Sequence, residues 1–400
     1  MSDYSMGQTP LSMRMTIAVF GRTNSGKSSL INAITGQKVS LVSEVGGTTT
    51  DPVNKTMELY PIGPCVFVDT AGFDDRSELG ALRMERTRKV LDKTDLAILV
   101  TDGVQDGREL ADWLSEIKQR KIAAIGVLNK SDLPENDGQK AEKLSKELGI
   151  PFSCASSLTG EGMEQVKAAI VEHAPQDFEM PSIVGHLVSE GDSVLLVMPQ
   201  DIQAPKGRLI LPQVQVTRDL LDRGVVVISA TADKMCAALE KLSAPPKLII
   251  TDSQVFPYVY ENKPDESLLT SFSVLMARYK GDIAEYIKGA ERLDTLAETD
   301  KVLIAEACTH QPLDGDIGRV KIPNLLRKKC GEGLVVDVVG GSNFPEDLSE
   351  YALVVHCGGC MFNRRYVLNR IRSAKMQNTP ITNYGILLAK LSGILDKVVY

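Results

Sequence analysis

The chain has 400 residues, which at roughly 100–200 residues per domain predicts two to four domains. Its 45 Lys and Arg residues against 52 Asp and Glu give a net charge of −7, so we expect neither a nucleic acid nor an anionic membrane as a partner. The proportions of hydrophobic residues (43%) and charged residues (24%) are typical of globular proteins. No run of about 18 apolar residues and no signal-peptide core occur, and we therefore expect a cytoplasmic protein.

Strand-like and helical patterns alternate through residues 1–173. Short runs of branched apolar residues are separated by segments with helical periodicity. This alternation predicts an α/β fold with a mostly parallel sheet and helices on both faces. The predicted strands are residues 16–21, 65–70, 96–102 and 123–130, and the predicted helices are 28–34, 110–120 and 140–148.

Two polar, proline-containing segments, residues 174–182 and 261–267, have the composition of linkers. They predict three domains, 1–173, 183–261 and 267–400, of which the last two also carry α/β patterns. The middle domain is predicted to contain strands at 193–199, 208–212, 224–230 and 247–252 and a helix at 234–242. The last domain is predicted to contain helices at 268–280 and 283–296 and buried strands at 301–307 and 351–356.

A phosphate-binding loop is predicted directly after the first strand. Residues 21–28 read GRTNSGKS and fit G-x-x-x-x-G-K-[ST] between a strand and a helix, the context that this motif requires. Backbone N–H groups of such a loop surround a phosphate, and the helix that follows adds its positive end. We expect Lys27 to reach the β- and γ-phosphates and Ser28 to supply a hydroxyl to Mg²⁺. The expected phosphate contacts are Gly21, Ser25, Gly26, Lys27, Ser28 and Ser29.

Further nucleotide motifs follow in order. DTAG (residues 69–72) places Asp69 to hold Mg²⁺ through water and the Gly72 N–H to sense the γ-phosphate. NKSD (residues 129–132) supplies Asp132, whose carboxylate pairs with two donors that guanine has and adenine lacks. Together the motifs predict that the chain binds GTP and GDP and hydrolyses GTP. Other expected nucleotide contacts are Asn129, Lys130 against the base, and Ser156 and Ser157 from the SSLTGEG loop.

In this order the motifs resemble the translation-factor-related small GTPase domains of MnmE and Era, over residues 14–172. The resemblance implies that Thr49, in the loop GGTTTD, binds Mg²⁺ and acts in hydrolysis with Lys27 and Gly72. Phe73 stands where Ras-like enzymes have the glutamine that orients water. The resemblance therefore implies slow hydrolysis that K⁺ stimulates, with Asn24 as the K⁺ ligand. A plain loop role for Asn24 stays open.

The chain has seven cysteines, an odd number without a secretion signal, so reduced thiols or metal ligands are expected rather than a disulfide framework. Cys308 lies two residues before His310, and His356 directly precedes the C-x-x-C of Cys357 and Cys360. If the preceding strands are parallel neighbours, both groups leave the same edge of one sheet. Iron–sulfur ligation and a Cys₃His zinc site both fit, and a redox C-x-x-C fits less well. The remaining cysteines, expected to be ordinary thiols, are Cys65, Cys154, Cys236 and Cys330.

C-x-H followed by H-C-x-x-C, behind a GTPase domain and a middle domain, resembles the FeFe-hydrogenase maturation GTPases (HydF) over essentially the whole chain. The resemblance implies a 4Fe–4S cluster on Cys308, Cys357 and Cys360 with an exchangeable fourth position. Whether His310 and His356 ligate the cluster, hydrogen-bond its sulfurs or line the site stays open. The resemblance also implies a homodimer formed by the middle domain.

The same resemblance implies a scaffold that receives a diiron precursor made with radical-SAM maturases and delivers it to apo FeFe-hydrogenase. Two alternatives stay open. One is a ribosome- or tRNA-associated GTPase with a structural zinc site, against which the net charge and the C-terminal cysteines argue. The other is a zinc-stabilised regulatory GTPase without a cluster.

Overall fold

The computed structural model describes residues 10–36, 53–72, 80–104, 107–175, 182–199, 209–307 and 316–400. The chain divides into two compact units, Met1–Glu179 and Met180–Tyr400. Among the described residues, no helix combines the length and the apolar character that crossing a membrane requires.

In its described residues, the first unit contains one six-stranded sheet with five helices. Its strands are β1 (Met15–Gly21), β2 (Val53–Leu59), β3 (Gly63–Asp69), β4 (Leu96–Thr101), β5 (Ala123–Leu128) and β6 (Phe152–Cys154). Its helices are α1 (Lys27–Thr35), α2 (Gly80–Leu91), α3 (Gly107–Gln119), α4 (Gly138–Leu148) and α5 (Met163–Glu172). The strand order is β2-β3-β1-β4-β5-β6, and all pairs are parallel except β2 with β3. The predicted mostly parallel α/β sheet is thus confirmed.

Strand β1 explains why the central strands read as continuous apolar runs. Alternate side chains of a strand point to opposite faces, and both faces of this sheet are covered. Ile17 and Val19 pack into one hydrophobic core, whereas Ala18 and Phe20 pack into the core on the other face. The strand therefore presents its end, and the loop after it, at one fixed edge of the sheet.

The described part of the second unit contains two four-stranded, fully parallel sheets. The strands of the first are β7 (Ser193–Val197), β8 (Val226–Ala230), β9 (Leu248–Thr251) and β10 (Leu268–Ser271), in the order β10-β9-β7-β8. The strands of the second are β11 (Lys301–Glu306), β12 (Val335–Gly340), β13 (Leu353–His356) and β14 (Ile381–Asn383), in the order β12-β11-β13-β14.

Eight helices of the second unit accompany these sheets within the described residues. They are α6 (Leu211–Asp222), α7 (Met235–Leu239), α8 (Phe256–Asn262), α9 (Phe272–Lys280), α10 (Ile283–Ala290), α11 (Ile322–Cys330), α12 (Arg364–Met376) and α13 (Tyr384–Leu391). One hydrophobic core takes side chains from both sheets, including Leu195 and Ile249 from the first and Leu303 and Val354 from the second. The two sheets are therefore parts of one packed body.

Two predicted elements of the second unit differ from the structure. The strand predicted at 208–212 is wrong, because Leu211 and Pro212 begin helix α6, where proline is well suited to the first turn. The helix predicted at 268–280 starts only at Phe272, since residues 268–271 form β10 beside β9. Ser271 ends the strand and caps the helix by accepting a hydrogen bond from the Val274 N–H at 3.2 Å. The predicted domain limits stay a prediction.

We predict that Ile304→Ala destabilises the second unit by about 2–5 kcal/mol, because Ile304 is fully buried in β11 and the truncation leaves a cavity. The control is Val335→Ala in the neighbouring strand β12, where the side chain is 50% exposed and the cost is about 0.5 kcal/mol or less. Urea unfolding followed by circular dichroism measures both. Trp113, the single tryptophan, lies in the first unit, so its fluorescence transition should not move. Equal losses of stability in Ile304→Ala and Val335→Ala would contradict the placement of Ile304 in the buried core.

Candidate functional site

The predicted phosphate-binding loop joins β1 to α1. Asn24 (φ 63°) and Gly26 (φ 93°) both adopt left-handed backbone conformations, which turn the chain around the space above the helix N-terminus. A Cβ at Gly26 would overlap the side-chain amide of Asn129, so only glycine fits. Lys27 Nζ donates to the carbonyl oxygens of Gly21 (3.1 Å) and Arg22 (2.7 Å). The ammonium is thereby held over the loop in which a phosphate would sit.

The groups expected to hold Mg²⁺ lie together. Ser28 Oγ donates a hydrogen bond to Asp69 Oδ2 at the end of β3. The other carboxylate oxygen, Asp69 Oδ1, is buried and has no hydrogen-bond partner among the described residues. Burial raises the pKa of Asp69, while Ser28, Lys27 and Lys55 oppose that shift. A hydroxyl beside a buried carboxylate oxygen fits a Mg²⁺ site, and the ion would satisfy the orphaned oxygen.

The base-binding loops are tied to the phosphate loop through Asn129. Its Nδ2 donates to the Ser25 carbonyl oxygen at 2.9 Å, and its Oδ1 accepts from the Ser157 N–H at 3.1 Å. Asp132 Oδ1 accepts from Ser156 Oγ at 2.5 Å. The structure thus brings together the residues predicted to contact the phosphates and those predicted to contact guanine.

Asn136 and Asp102 belong to this site but were not predicted from the sequence. Asn136 is 1% exposed, and its Nδ2 lies 2.9 Å from the carbonyl oxygen of Asp102, 3.1 Å from that of Asn129 and 3.3 Å from that of Lys130. Lys130, whose φ is 61°, forms an ion pair of 2.7 Å with Asp102. Asn136 lies in a polar stretch without a motif, so only its burial identifies it as the support of the base-reading loop.

Part of the predicted nucleotide site lies outside the described residues. Thr49 and its loop, and Phe73 after the DTAG motif, belong to this part. Gly72 is described, and a Cβ there would overlap the backbone and side chain of Thr23, so glycine is required for the close approach. The roles of Thr49 in binding Mg²⁺ and of Phe73 in place of glutamine stay predictions.

The cysteine motifs follow neighbouring strands of the second unit. β11 and β13 are parallel and adjacent, with Ala305 opposite His356, so the residues after both strands leave the same edge of the sheet. Cys357 Sγ accepts hydrogen bonds from the N–H of Ala307 at 3.0 Å and of Gly359 at 3.4 Å. Cys308 and His310 lie outside the described residues.

The electrostatics at Cys357 reflect its confinement. Burial raises the pKa of Cys357 to about 11, opposed by the two N–H donors and by Arg370. Cys357 and Cys360 are half-buried, and no cysteine among the described residues forms a disulfide. Within the described ranges no group of three or more His, Cys, Asp and Glu residues is placed to hold a metal ion.

His356 is fully buried, and both of its ring nitrogens are engaged. Nδ1 lies 2.7 Å from the Cys357 carbonyl oxygen, which can only accept, so Nδ1 carries the proton. Nε2 then accepts from Arg370 Nη1 at 3.1 Å. Burial, followed by the charge of Arg370, lowers the pKa of His356 to about 3. The imidazole is therefore neutral and holds the cysteine loop through backbone and guanidinium contacts, not through sulfur.

Arg370 is itself enclosed by three aromatic rings. Its guanidinium carbon lies 4.8 Å from the ring centroid of Phe344, 4.6 Å from that of Phe362 and 4.9 Å from that of Tyr366. Cation–π contacts of this kind hold a desolvated guanidinium without a carboxylate. Sequence patterns do not show this arrangement, because the four residues meet only in the folded chain.

The phosphate-binding loop, the contact of Ser28 with Asp69 and the base-reading residues define the first unit as a P-loop GTPase domain. Residues 16–130 match the family model "50S ribosome-binding GTPase". Residues 183–281 match the Hydrogen maturase F dimerization domain, and residues 284–400 match the Hydrogen maturase F tetramerization domain. The chain therefore belongs to the hydrogen maturase F (HydF) family, as its motifs predicted. It carries the oligomerisation domains of that family.

Two curated relatives each match less than half of the chain. GTPase Der of Campylobacter hominis is 35% identical over 167 residues, which cover 39% of this chain and 36% of that protein. The tRNA modification GTPase MnmE of Endomicrobium trichonymphae is 32% identical over 191 residues, 45% of this chain and 41% of that protein. The chain thus spans less than half the length of these relatives.

Among solved structures, the G domain of the T. maritima FeoB iron transporter is 30% identical. The match covers 40% of this chain and 98% of that domain, with a TM-score of 0.32.

We predict that Asn136→Ala weakens GDP binding about tenfold, because the carbonyls that position Asn129 and Lys130 lose their buried donor. Titration with a fluorescent GDP analogue measures the change. Asn262→Ala, which removes an exposed amide in the second unit, is the matched control and should bind normally. Unchanged affinity in Asn136→Ala would contradict the supporting role.

Proposed function

We propose that the chain is a GTP-hydrolysing scaffold of FeFe-hydrogenase maturation. In this proposal Cys308, Cys357 and Cys360 hold a 4Fe–4S cluster, and the protein carries a diiron precursor to apo FeFe-hydrogenase. Family membership supports the role in hydrogenase maturation. The single observation that carries the cluster proposal is the hydrogen bond from the Ala307 N–H to Cys357 Sγ.

That hydrogen bond joins the residue before the first cysteine motif to a sulfur of the second. Ala307 directly precedes Cys308 in the sequence, and its N–H lies 3.0 Å from Cys357 Sγ, which supports the proposal that the two motifs share one cluster. Cys360 follows Cys357 on the same loop. Thiolates in this number suit iron–sulfur ligation, and N–H donors to sulfur tune such sites. Three cysteines leave one coordination position of a cubane cluster for an exchangeable ligand, which a carrier needs.

The residues of the first unit supply the steps of GTP hydrolysis. Lys27 neutralises charge on the β- and γ-phosphates, while the Gly72 N–H bonds the γ-phosphate. Ser28, Asp69 and Thr49 would hold Mg²⁺, which when bound offsets the charge of the phosphates. We propose that Asn24 holds K⁺ near the same phosphates, and that hydrolysis without K⁺ is slow because Phe73 offers no polar group to orient water.

The proposed partners are the radical-SAM hydrogenase maturases and apo FeFe-hydrogenase, with the chain acting as an oligomer in the cytoplasm. The dimerization and tetramerization models over residues 183–281 and 284–400 support oligomerisation. A ribosome- or tRNA-associated role draws on residues 16–130 alone.

We predict that Cys357→Ser loses the cluster but keeps GTP turnover, because the sulfur lies in the other unit from the nucleotide site. Lys27→Ala should lose GTP turnover but keep the cluster. Anaerobic iron reconstitution, metal analysis, EPR of the dithionite-reduced protein and phosphate release measure both properties. Cys236→Ser, which alters an exposed thiol, is the matched control and should keep both. Zinc in place of iron, or an undiminished cluster signal in Cys357→Ser, would refute the cluster proposal.

We predict faster GTP hydrolysis in K⁺ than in Na⁺ at equal ionic strength, since a monovalent cation at Asn24 would stabilise charge that develops between the phosphates. Steady-state phosphate release compares the two salts, and GDP affinity serves as the control for binding. Asn24→Ala should remove the difference. Equal rates in the two salts would exclude the role of Asn24.

A further inference from the structure

A buried lysine holds the loop that carries Cys357 and Cys360. Lys280 is the last residue of α9 and is 1% exposed. Its Nζ donates to the carbonyl oxygens of Gly359 at 3.2 Å, Cys360 at 3.1 Å and Phe362 at 2.8 Å. All three acceptors belong to the single turn that follows β13.

The three contacts match the chemistry of an ammonium group. Protonated Lys280 has three N–H donors, and each finds one carbonyl, whereas a neutral amine has only two donors. No carboxylate among the described residues forms an ion pair with Lys280. A buried cation is costly without opposite charge nearby. Burial lowers the pKa of Lys280 to about 8, and negative charge on Cys360 and Cys357 opposes that shift.

Helix α9 ties this contact to the rest of the unit. Phe272, Leu275 and Met276 pack into the core beneath the first sheet of the second unit. At the same end of the helix as Lys280, the Tyr279 carbonyl oxygen accepts from Arg364 Nε at 3.2 Å, where α12 begins. The cysteine turn is therefore held by a helix that also packs into the core beneath the first sheet.

We propose that Lys280 is a positioning residue for the cysteine loop and the counter-charge for an anionic iron–sulfur cluster bound there. The first part concerns the protein without metal. The second part rests on the proposed cluster function. Thiolate-ligated clusters carry negative charge, and a fixed cation beside them favours the reduced, more negative form. Losing the cation makes reduction harder.

Thiol labelling of the metal-free chain tests the positioning role. In Lys280→Met, Cys360 should react with N-ethylmaleimide about tenfold faster than in the unaltered protein, the factor for losing one hydrogen bond to a charged group. Peptide mass spectrometry with fragmentation separates Cys360 from Cys357, and exposed Cys236 is the internal standard. Lys288→Met, an exposed lysine on α10, is the matched control. Unchanged labelling of Cys360 overturns the positioning role.

A second variant separates charge from hydrogen bonding and guards against misfolding. Lys280→Gln keeps two N–H donors but no charge, so the chain should fold by circular dichroism and label Cys360 more slowly than Lys280→Met does. After reconstitution its midpoint potential, from an EPR-monitored titration with dithionite, should fall by ~59 mV if reduction is disfavoured tenfold in this one-electron couple. Lys288→Gln should leave the potential in place because solvent screens that charge.

The outcomes distinguish this proposal from the proposed function. An unchanged potential in Lys280→Gln overturns the counter-charge role. If the unaltered protein takes up no cluster, the proposed function fails and the counter-charge role fails with it. The labelling of Cys360 still decides whether Lys280 positions the loop.

Discussion

Parallel pairing of neighbouring strands is the constraint on which both candidate sites depend. When strands run the same way, the residues after them converge at one edge, whatever their separation in sequence. β1, β3 and β5 bring the phosphate loop, Asp69 and Asn129 together in this way. β11 and β13 do the same for Ala307 and Cys357. The chemistry lies in the loops, but the sheets decide which loops meet.

Both candidate sites also direct backbone N–H groups at a position where the proposed ligand would place negative charge. The loop from Gly21 to Ser28 places amides at a helix N-terminus for phosphate, whereas Ala307 and Gly359 direct theirs at the sulfur of Cys357. Each site adds one lysine that is held by carbonyl oxygens, Lys27 in the first and Lys280 in the second. Fixed backbone dipoles with one nearby ammonium thus recur in both units of the chain.

Sequence patterns predicted the motifs whose residues are contiguous in the chain, and they missed the supporting residues that contact these motifs only after folding. The GTPase motifs and the C-x-x-C each lie within a few residues, so their type and spacing indicate their chemistry. Arg370 and Lys280 contact the cysteine loop from other elements, and Asn136, although only four residues beyond the NKSD motif, belongs to no motif that marks it. The predicted helix wrongly includes β10, because four apolar or small residues directly before a helix fit either period. Thr49 and Cys308 stay predictions because they lie outside the described residues.

The core shared by the two sheets of the second unit has a consequence for how this unit loses its structure. Leu303 and Val354 pack with Leu195 and Ile249, although the family models divide the segment between residues 281 and 284. Opening either sheet would expose apolar surface of the other, so residues 182–400 should melt as one cooperative block. The limit between the two family models is thus not a limit between independently packed cores, and a fragment cut there would expose apolar side chains of the shared core to water.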